Sequence, residues 1–190
     1  MEMVSGTQAA LPQGVYSQVS CYRQKVFVER LGWDLRVENG EERDQFDRPD
    51  TVYVVARDDH GRVIGCARLL PTTQPYLLDE EFPGLLNGVP PPSSPEVWEL
   101  SRFAAVDLNR SPTSPTYQFS SLITVDLLKE SIACAAACGA KRLITVSPIG
   151  VERLLRRAGF HAHRVGPPMV AKGHPVVACL IETELATAGL

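Results

Sequence analysis

The chain lacks the marks of several large protein classes. No run of about 18 uninterrupted apolar residues occurs, so no membrane-spanning helix is expected. Met1 to Gln13 is polar and has no basic stretch leading into an apolar one, so no secretory leader is expected either. The 5 cysteines are odd in number and form no C-x-x-C pair, which argues against a disulfide framework and against a zinc ribbon. Most of them lie in apolar runs, where a free thiol acts as a small hydrophobe, and a reducing cytoplasm is the natural compartment. Among the 4 histidines, only His161-Ala-His163 are close together, and no metal site is expected. The G-x-G-x-x-G turn, the Walker A lysine loop and the G-x-S-x-G elbow are all missing. Dinucleotide enzymes, P-loop NTPases and serine hydrolases lose their support with them.

What is present fits an ordinary globular chain. Its 190 residues are 44% hydrophobic and 22% charged, which predicts one domain over residues 1–190, with 1–14 flexible. A net charge of −3 speaks against a nucleic-acid partner. That total hides a split. Residues 1–99 carry 9 Lys and Arg against 16 Asp and Glu, whereas residues 100–190 carry 10 against 6. An acidic half and a basic half suit two differently charged ligands.

The hydrophobic pattern alternates helices with strands. Tyr16 to Leu31 reads as an amphipathic helix closed by Gly32, with Val19, Val26 and Phe27 inward. Gly40 to Asp50 reads as a charged loop. Thr51–Arg57 and Arg62–Leu70 are predicted strands joined as a hairpin through Asp58-Asp-His-Gly61. A short helix near Tyr76 to Pro83, a strand over Val97 to Val106 and a long helix over Tyr117 to Cys138 follow. A strand at Arg142 to Ser147, a helix at Gly150 to Ala158 and a last strand near Pro175 to Ile181 complete the pattern. The class is α/β, with a mixed twisted sheet flanked by helices.

Three features carry chemistry. Arg68 shares a strand face with Ile64, Cys66 and Leu70, a costly place for a charge unless it is paired, meets an anion or reaches solvent at an edge. Glu99-Leu-Ser101-Arg102 sets two opposite charges in an apolar strand. Strict alternation puts them on opposite faces, so an ion pair between them needs a bulge or a strand end. The run Asp44-Gln-Phe-Asp47-Arg-Pro-Asp50 is either a solvated acidic turn or, with Phe27 and Trp33, the wall of a pocket for an organic cation.

Together these residues resemble the signature of the LuxI-type acyl-homoserine lactone synthases. The pattern Arg23-x3-Phe27-x5-Trp33, Asp44-x2-Asp47, Arg68, Phe82 and Glu99-x-Ser101-Arg102 stands in that family's order and spacing. Leu143–Ser147 and Val151–Phe160 are also similar to it, so the likeness covers roughly residues 15–182. The resemblance implies a Gcn5-type N-acetyltransferase-like, three-layer α/β/α fold whose sheet is splayed to admit a thioester arm. It implies a reaction between S-adenosylmethionine, as substrate rather than cofactor, and an acyl group on acyl carrier protein. The products would be an N-acyl-homoserine lactone, methylthioadenosine and the free carrier thiol, with no metal and no resident cofactor.

On that implied reaction, Asp44 and Asp47 offset the cationic groups of S-adenosylmethionine, and Phe27, Trp33 and Phe82 pack it. Arg23 and Arg68 meet its carboxylate or orient the two aspartates. Glu99 is the candidate general base, acting through a water. Arg102 orients Glu99, and backbone N–H groups at a bulge serve the oxyanion. Leu122, Ile123 and Val146 line the acyl chain. Ser147 stands where some 3-oxoacyl-producing members have threonine, which favours an unsubstituted chain of medium length such as octanoyl. Arg153 and Arg157, extended by Lys141, Arg142 and Arg164, form a basic dock for the acidic carrier. Acyl-coenzyme A is anionic too and remains an alternative donor. The rivals are a Gcn5-type acetyltransferase, whose R/Q-x-x-G-x-G/A loop is missing between Val106 and Thr116, and a non-catalytic adenosylmethionine-binding module.

Overall fold

The first strand is one the sequence did not announce. Glu2–Thr7 (β1) pairs antiparallel with a later strand, in register from Glu2↔Arg57 to Thr7↔Val52. The segment expected to be flexible is instead held by a backbone ladder, which its mixed composition did not advertise. The computed structural model describes residues 1–109, 122–171 and 173–184. The chain divides into two compact units, Met1–Leu69 with Arg102–Ser131 and Leu70–Ser101 with Ile132–Leu190.

In the first unit, Val15–Arg23 (α1) continues into a π-helical stretch, Gln24–Arg30, so the predicted helix changes pitch in mid-course. The wider i→i+5 pattern appears in the Leu31 N–H donating to the Val26 carbonyl at 3.0 Å. Gly32, with φ of 69°, then turns the chain as expected. A small ribbon, Val37–Glu38 (β2) against Glu41–Glu42 (β3), interrupts what reads as a charged loop. Val52–Arg57 (β4) and Val63–Pro71 (β5) form the predicted antiparallel hairpin. Val15, Val19, Val26, Phe27, Tyr53, Val55 and Cys66 build the core of this unit. Burying each Val or Phe contributes roughly 1.5–3 kcal/mol. Tyr22 locks the core: its hydroxyl donates to the Val106 carbonyl at 2.9 Å and accepts from the Val106 N–H at 2.8 Å.

In the second unit, Leu77–Glu81 (α2) is followed by a 3-10 turn over Pro83–Leu86. Val97–Ala104 (β6) ends inside the first unit, and Leu122–Ala137 (α3) is the described part of the long predicted helix, whose expected start at Tyr117 lies outside the described residues. Arg142–Pro148 (β7) runs parallel to β6, but only Val97↔Arg142, Trp98↔Leu143 and Glu99↔Ile144 are in register. Beyond Ile144, β7 has no β6 partner among the described residues, which matches the expected splay. Val151–Arg157 (α4), Ala162–Arg164 (β8), Met169–Ala171 (β9) and His174–Glu182 (β10) complete the unit. β10 lies antiparallel to β7, β8 and β9. Parallel and antiparallel pairs together make the sheet mixed. Among the described residues, no helix is long and apolar enough to cross a membrane.

Deleting residues 1–7 removes the β1 ladder and bares the β4 edge. The melting temperature should fall by about 5 °C, with more light scattering on heating. An unchanged melting curve would show that β1 adds nothing.

Candidate active site

Three arginines and three carboxylates close into a ring in the first unit. Arg23 donates from Nε to Glu42 at 2.6 Å and takes Asp47 with both terminal nitrogens, at 2.7 and 3.0 Å. Arg68 donates to Asp44 at 2.6 Å and to Asp47 at 3.3 Å. Arg102 donates to Glu42 at 3.0 Å and to Asp44 at 2.9 Å. Read around, the order is Arg23, Glu42, Arg102, Asp44, Arg68, Asp47 and back to Arg23. Signs alternate and the formal sum is zero. Arg23 and Arg68 have side chains only 1% exposed, Glu42 is fully covered, and Asp44 at 13% is the most open member.

Each member arrives by a distinct local device. Arg23 ends α1, and Glu42 ends the β3 ribbon. Asp44 and Asp47 stand in a turn tied by the Asp44 N–H donating to Asp47 at 2.9 Å and the Phe46 N–H donating to Asp44 at 2.9 Å. Arg68 lies on β5 directly across from Tyr53, whose hydroxyl donates to Asp47 at 2.8 Å. Arg102 belongs to β6 and has φ of 49°, left-handed for a non-glycine residue. The strand thus breaks strict alternation at Arg102. The thiol of Cys66 donates to the Arg102 carbonyl at 3.3 Å, fixing the kink from behind.

Burial and charge pull in opposite directions in the ring. Burial by itself would raise the Asp47 carboxyl, but Arg23 and Arg68 and the hydrogen bonds outweigh it and hold Asp47 well below the usual carboxylate range. Burial also works against the Arg23 charge, yet Asp47 and Glu42 raise its pKa well above the ordinary value. The Tyr53 hydroxyl is pushed up, first by burial and then by the Asp47 charge, so it stays a donor. Burial likewise pushes the Cys66 thiol up to about 12.

Asp44 and Asp47 were read as facing an incoming cation; in the structure their oxygens accept from Arg23, Arg68 and Arg102. The alternative role given to Arg23 and Arg68, orienting the aspartates, is the arrangement present. Arg102 was expected to orient Glu99. Its left-handed backbone delivers the guanidinium to Glu42 and Asp44. Arg68 is a paired interior charge rather than an edge residue reaching solvent. Sequence reading missed Glu42, whose signal was its place in the acidic run, and Phe46, whose ring lies 5.6 Å beneath the Arg68 guanidinium.

Beside the ring, Phe27 and Trp33 stack at 5.0 Å with an interplanar angle of 27°. Phe27 is buried and Trp33 is 37% exposed, so the pair offers an aromatic face to solvent. Arg102 lies 5.8 Å from the Phe27 ring centre. The π-helical stretch places Phe27, and the Trp33 N–H donates to the Phe27 carbonyl at 2.9 Å.

The second unit holds Glu99, Ser101 and Phe82. Glu99 is 1% exposed and accepts the backbone N–H of Leu78 at 2.7 Å and of Leu77 at 3.1 Å. Ser101 is buried and Phe82 half-buried. Of the residues read as acyl lining, Ser147 is buried, Val146 and Ile123 are half-buried, and Leu122 is 82% exposed. On α4, Arg153 and Arg157 are exposed and have no acidic partner among the described residues. The wider basic patch shrinks. Lys141 pairs with Glu96 at 2.5 Å, while Arg156 and Arg164 both pair with Glu152, at 2.9 and 2.7 Å.

Residues 9–188 match the family described as autoinducer synthase. The chain belongs to that family. An acyl-homoserine-lactone synthase from Acinetobacter nosocomialis is 58% identical over 96% of this chain and 100% of its own length. The crystal structure of TofI, in a ternary complex with an inhibitor and MTA, superposes with a TM-score of 0.81 at 45% identity, covering 97% of this chain and 92% of that one. BjaI, described as a CoA-dependent acyl-homoserine lactone synthase and solved with SAM and isopentyl-CoA, gives a TM-score of 0.82 at 27% identity, covering 96% and 82%. The fold is the mixed-sheet, acyltransferase-like one that the resemblance implied.

Removing one member of such a ring leaves a buried charge without its partner. Asp47→Asn should cost about 3–5 kcal/mol of stability at neutral pH, read by urea unfolding. In the parent, the Asp47 contribution is full above about pH 5 and drains away as pH falls through the ordinary carboxylate value of about 4 toward the depressed one. The variant should therefore show a flatter acid limb. An equally steep limb would mean that Asp47 does not carry it.

Proposed function

We propose that this autoinducer synthase transfers a fatty acyl group from acyl carrier protein to the amine of S-adenosyl-L-methionine and closes the lactone, working in the cytoplasm as part of quorum signalling. The observation that carries this reading is the convergence of five signature residues, Arg23, Asp44, Asp47, Arg68 and Arg102, on one neutral ring beside the Phe27–Trp33 face. A chain 58% identical to a protein named acyl-homoserine-lactone synthase supports the same reaction.

The proposed chemistry balances with no resident cofactor and no metal. The α-ammonium gives one proton to Glu99 through a water and from there to solvent, the amine attacks the thioester carbonyl, the carbon–sulfur bond breaks, and the second nitrogen proton ends on the leaving carrier thiol. The methionyl carboxylate then attacks its own γ-carbon, and the sulfonium carbon–sulfur bond breaks to release methylthioadenosine. A positively charged sulfur leaves readily, so this second step asks mainly for positioning. Phe27, Trp33 and Phe82 pack the substrate, and a cation against aromatic faces is favourable. The ring holds Arg102 and Asp44 beside that face. Glu99 accepts the amine proton through a water, Ser101 and the turned backbone near Arg102 serve the oxyanion, and Leu122, Ile123, Val146 and Ser147 accompany the acyl chain. The serine hydroxyl without the threonine methyl favours an unsubstituted chain of medium length such as octanoyl.

Arg153 and Arg157 dock the acidic carrier. The alternative is acyl-coenzyme A as donor, a reading favoured by the likeness to BjaI. The deciding assay gives purified protein S-adenosylmethionine with octanoyl carrier protein or octanoyl-coenzyme A, with products read by mass spectrometry. Acyl-homoserine lactone and methylthioadenosine should appear with the carrier substrate. Turnover with coenzyme A alone would overturn the donor, and no turnover with any acyl donor would overturn the reaction.

Glu99→Gln keeps one oxygen for the Leu78 N–H, so adenosylmethionine binding should change less than about threefold while turnover falls by about 10²-fold or more. Collapse of binding instead would remove Glu99 from the role of base. Reversing Arg153 and Arg157 to glutamate should raise the KM for acyl carrier protein by about tenfold and spare adenosylmethionine binding. An unchanged KM for the carrier would take the dock off α4.

A further inference from the structure

The segment bearing Phe82 is held at both ends, entirely within the second unit. At its N-terminal end, Glu99 takes the first two N–H groups of α2, which a helix start leaves without internal partners. Phe82 sits where α2 meets the 3-10 turn, with φ −135° and ψ 35°. Its N–H donates to the Leu78 carbonyl at 3.0 Å, and its carbonyl accepts the Leu85 N–H at 3.0 Å. At the C-terminal end, Leu85 and Leu86 are buried at 2% and 1% exposure.

What presses on that turn is the chain around Gly166. A Cβ built on Gly166 would overlap the Leu85 carbonyl oxygen, come within 3.2 Å of the Leu85 carbonyl carbon and lie 3.6 Å from the Asn87 Cβ. Gly166 is not among the glycines with positive φ, so the backbone angle does not demand glycine there. The close approach does. Gly84 offers a contrast on the same contact, because a Cβ there would meet only the Met169 side-chain tip, Cε at 3.1 Å and Sδ at 3.3 Å. A flexible thioether can swing aside, whereas a backbone carbonyl between the two buried leucines cannot.

We propose that Gly166 is a positioning residue for the reaction: its missing side chain lets the chain press on the Leu85 carbonyl, which fixes the 83–86 turn and thereby sets the Phe82 ring. The inference rests on the reading of Phe82 as a contact for S-adenosylmethionine. Gly166→Ala forces the turn away from its seat and displaces Phe82 without altering any group that touches substrate or moves a proton.

The test is a double-mutant cycle on the full chain, with S-adenosylmethionine binding read by calorimetry. Phe82→Ala and Gly166→Ala should each weaken binding, Gly166→Ala by about tenfold. The double variant should bind no worse than Phe82→Ala, and Gly84→Ala should bind like the parent. Parent-like binding by Gly166→Ala, or losses that multiply in the double variant, would overturn the proposal while leaving Phe82 as a contact. Parent-like binding by Phe82→Ala would overturn the underlying reading instead. Should Gly166→Ala not fold, Pro83→Gly loosens the same turn from within. It should show the same loss and the same non-additivity with Phe82→Ala, and normal binding there would equally overturn the proposal.

Discussion

Closure of the six-charge ring is the constraint on which the first unit depends. Each of Arg23, Arg68, Arg102, Glu42, Asp44 and Asp47 has been taken largely out of water, and the desolvation of one buried ion costs several kcal/mol. Only the alternating order, with every charge flanked by two of opposite sign, makes that burial tolerable. A pair would leave lone pairs and N–H groups unserved. In the ring each carboxylate is served by two arginines. Its value lies less in net stability than in geometry, because no member can rotate without breaking bonds on both sides.

The irregular backbone of this unit follows from that requirement. Arg23 and Phe27, four residues apart, share a face of a regular helix, but a strictly alternating strand would not bring Arg102 to them. The π-helical stretch after Arg23 carries Phe27, which is buried against the core and stacks on Trp33. The left-handed turn at Arg102 sends its guanidinium to the ring rather than along the face that alternation dictates. Departures of this kind store strain of order 1–3 kcal/mol and persist only where the surroundings over-determine them. Here the Cys66 thiol, the Glu42 carboxylate and the Asp44 carboxylate all do so.

Much of this was legible in residue order. Apolar periodicity located the β4–β5 hairpin, the helix from Tyr16 and the strands at Val97 and Arg142, because those elements bury one face and sequence records burial. Signature residues named five of the six ring members. Glu42 escaped because an acidic residue in a run of acidic residues looks solvated until its arginines are in place. β1 escaped because the stabilising interaction is a backbone ladder, to which Glu2-Met-Val-Ser-Gly-Thr7 contributes no distinctive side-chain pattern. The partners of Arg102 escaped for a third reason. Alternation said only that Glu99 and Arg102 lie on opposite faces unless the strand bulges or ends, and the direction in which a break sends a side chain is set by what waits there.

The closed ring also shapes how this site can change over generations. A linear chain of ion pairs has an end, and an end residue can be replaced with only one partner disturbed. Around a ring every replacement strands two neighbours, so single substitutions lead downhill in all six directions. Only coordinated exchanges, removing one positive and one negative member together, preserve neutrality. The ring is thus closed to gradual drift, and diversification in such a protein is directed to surfaces that carry no part of the circuit.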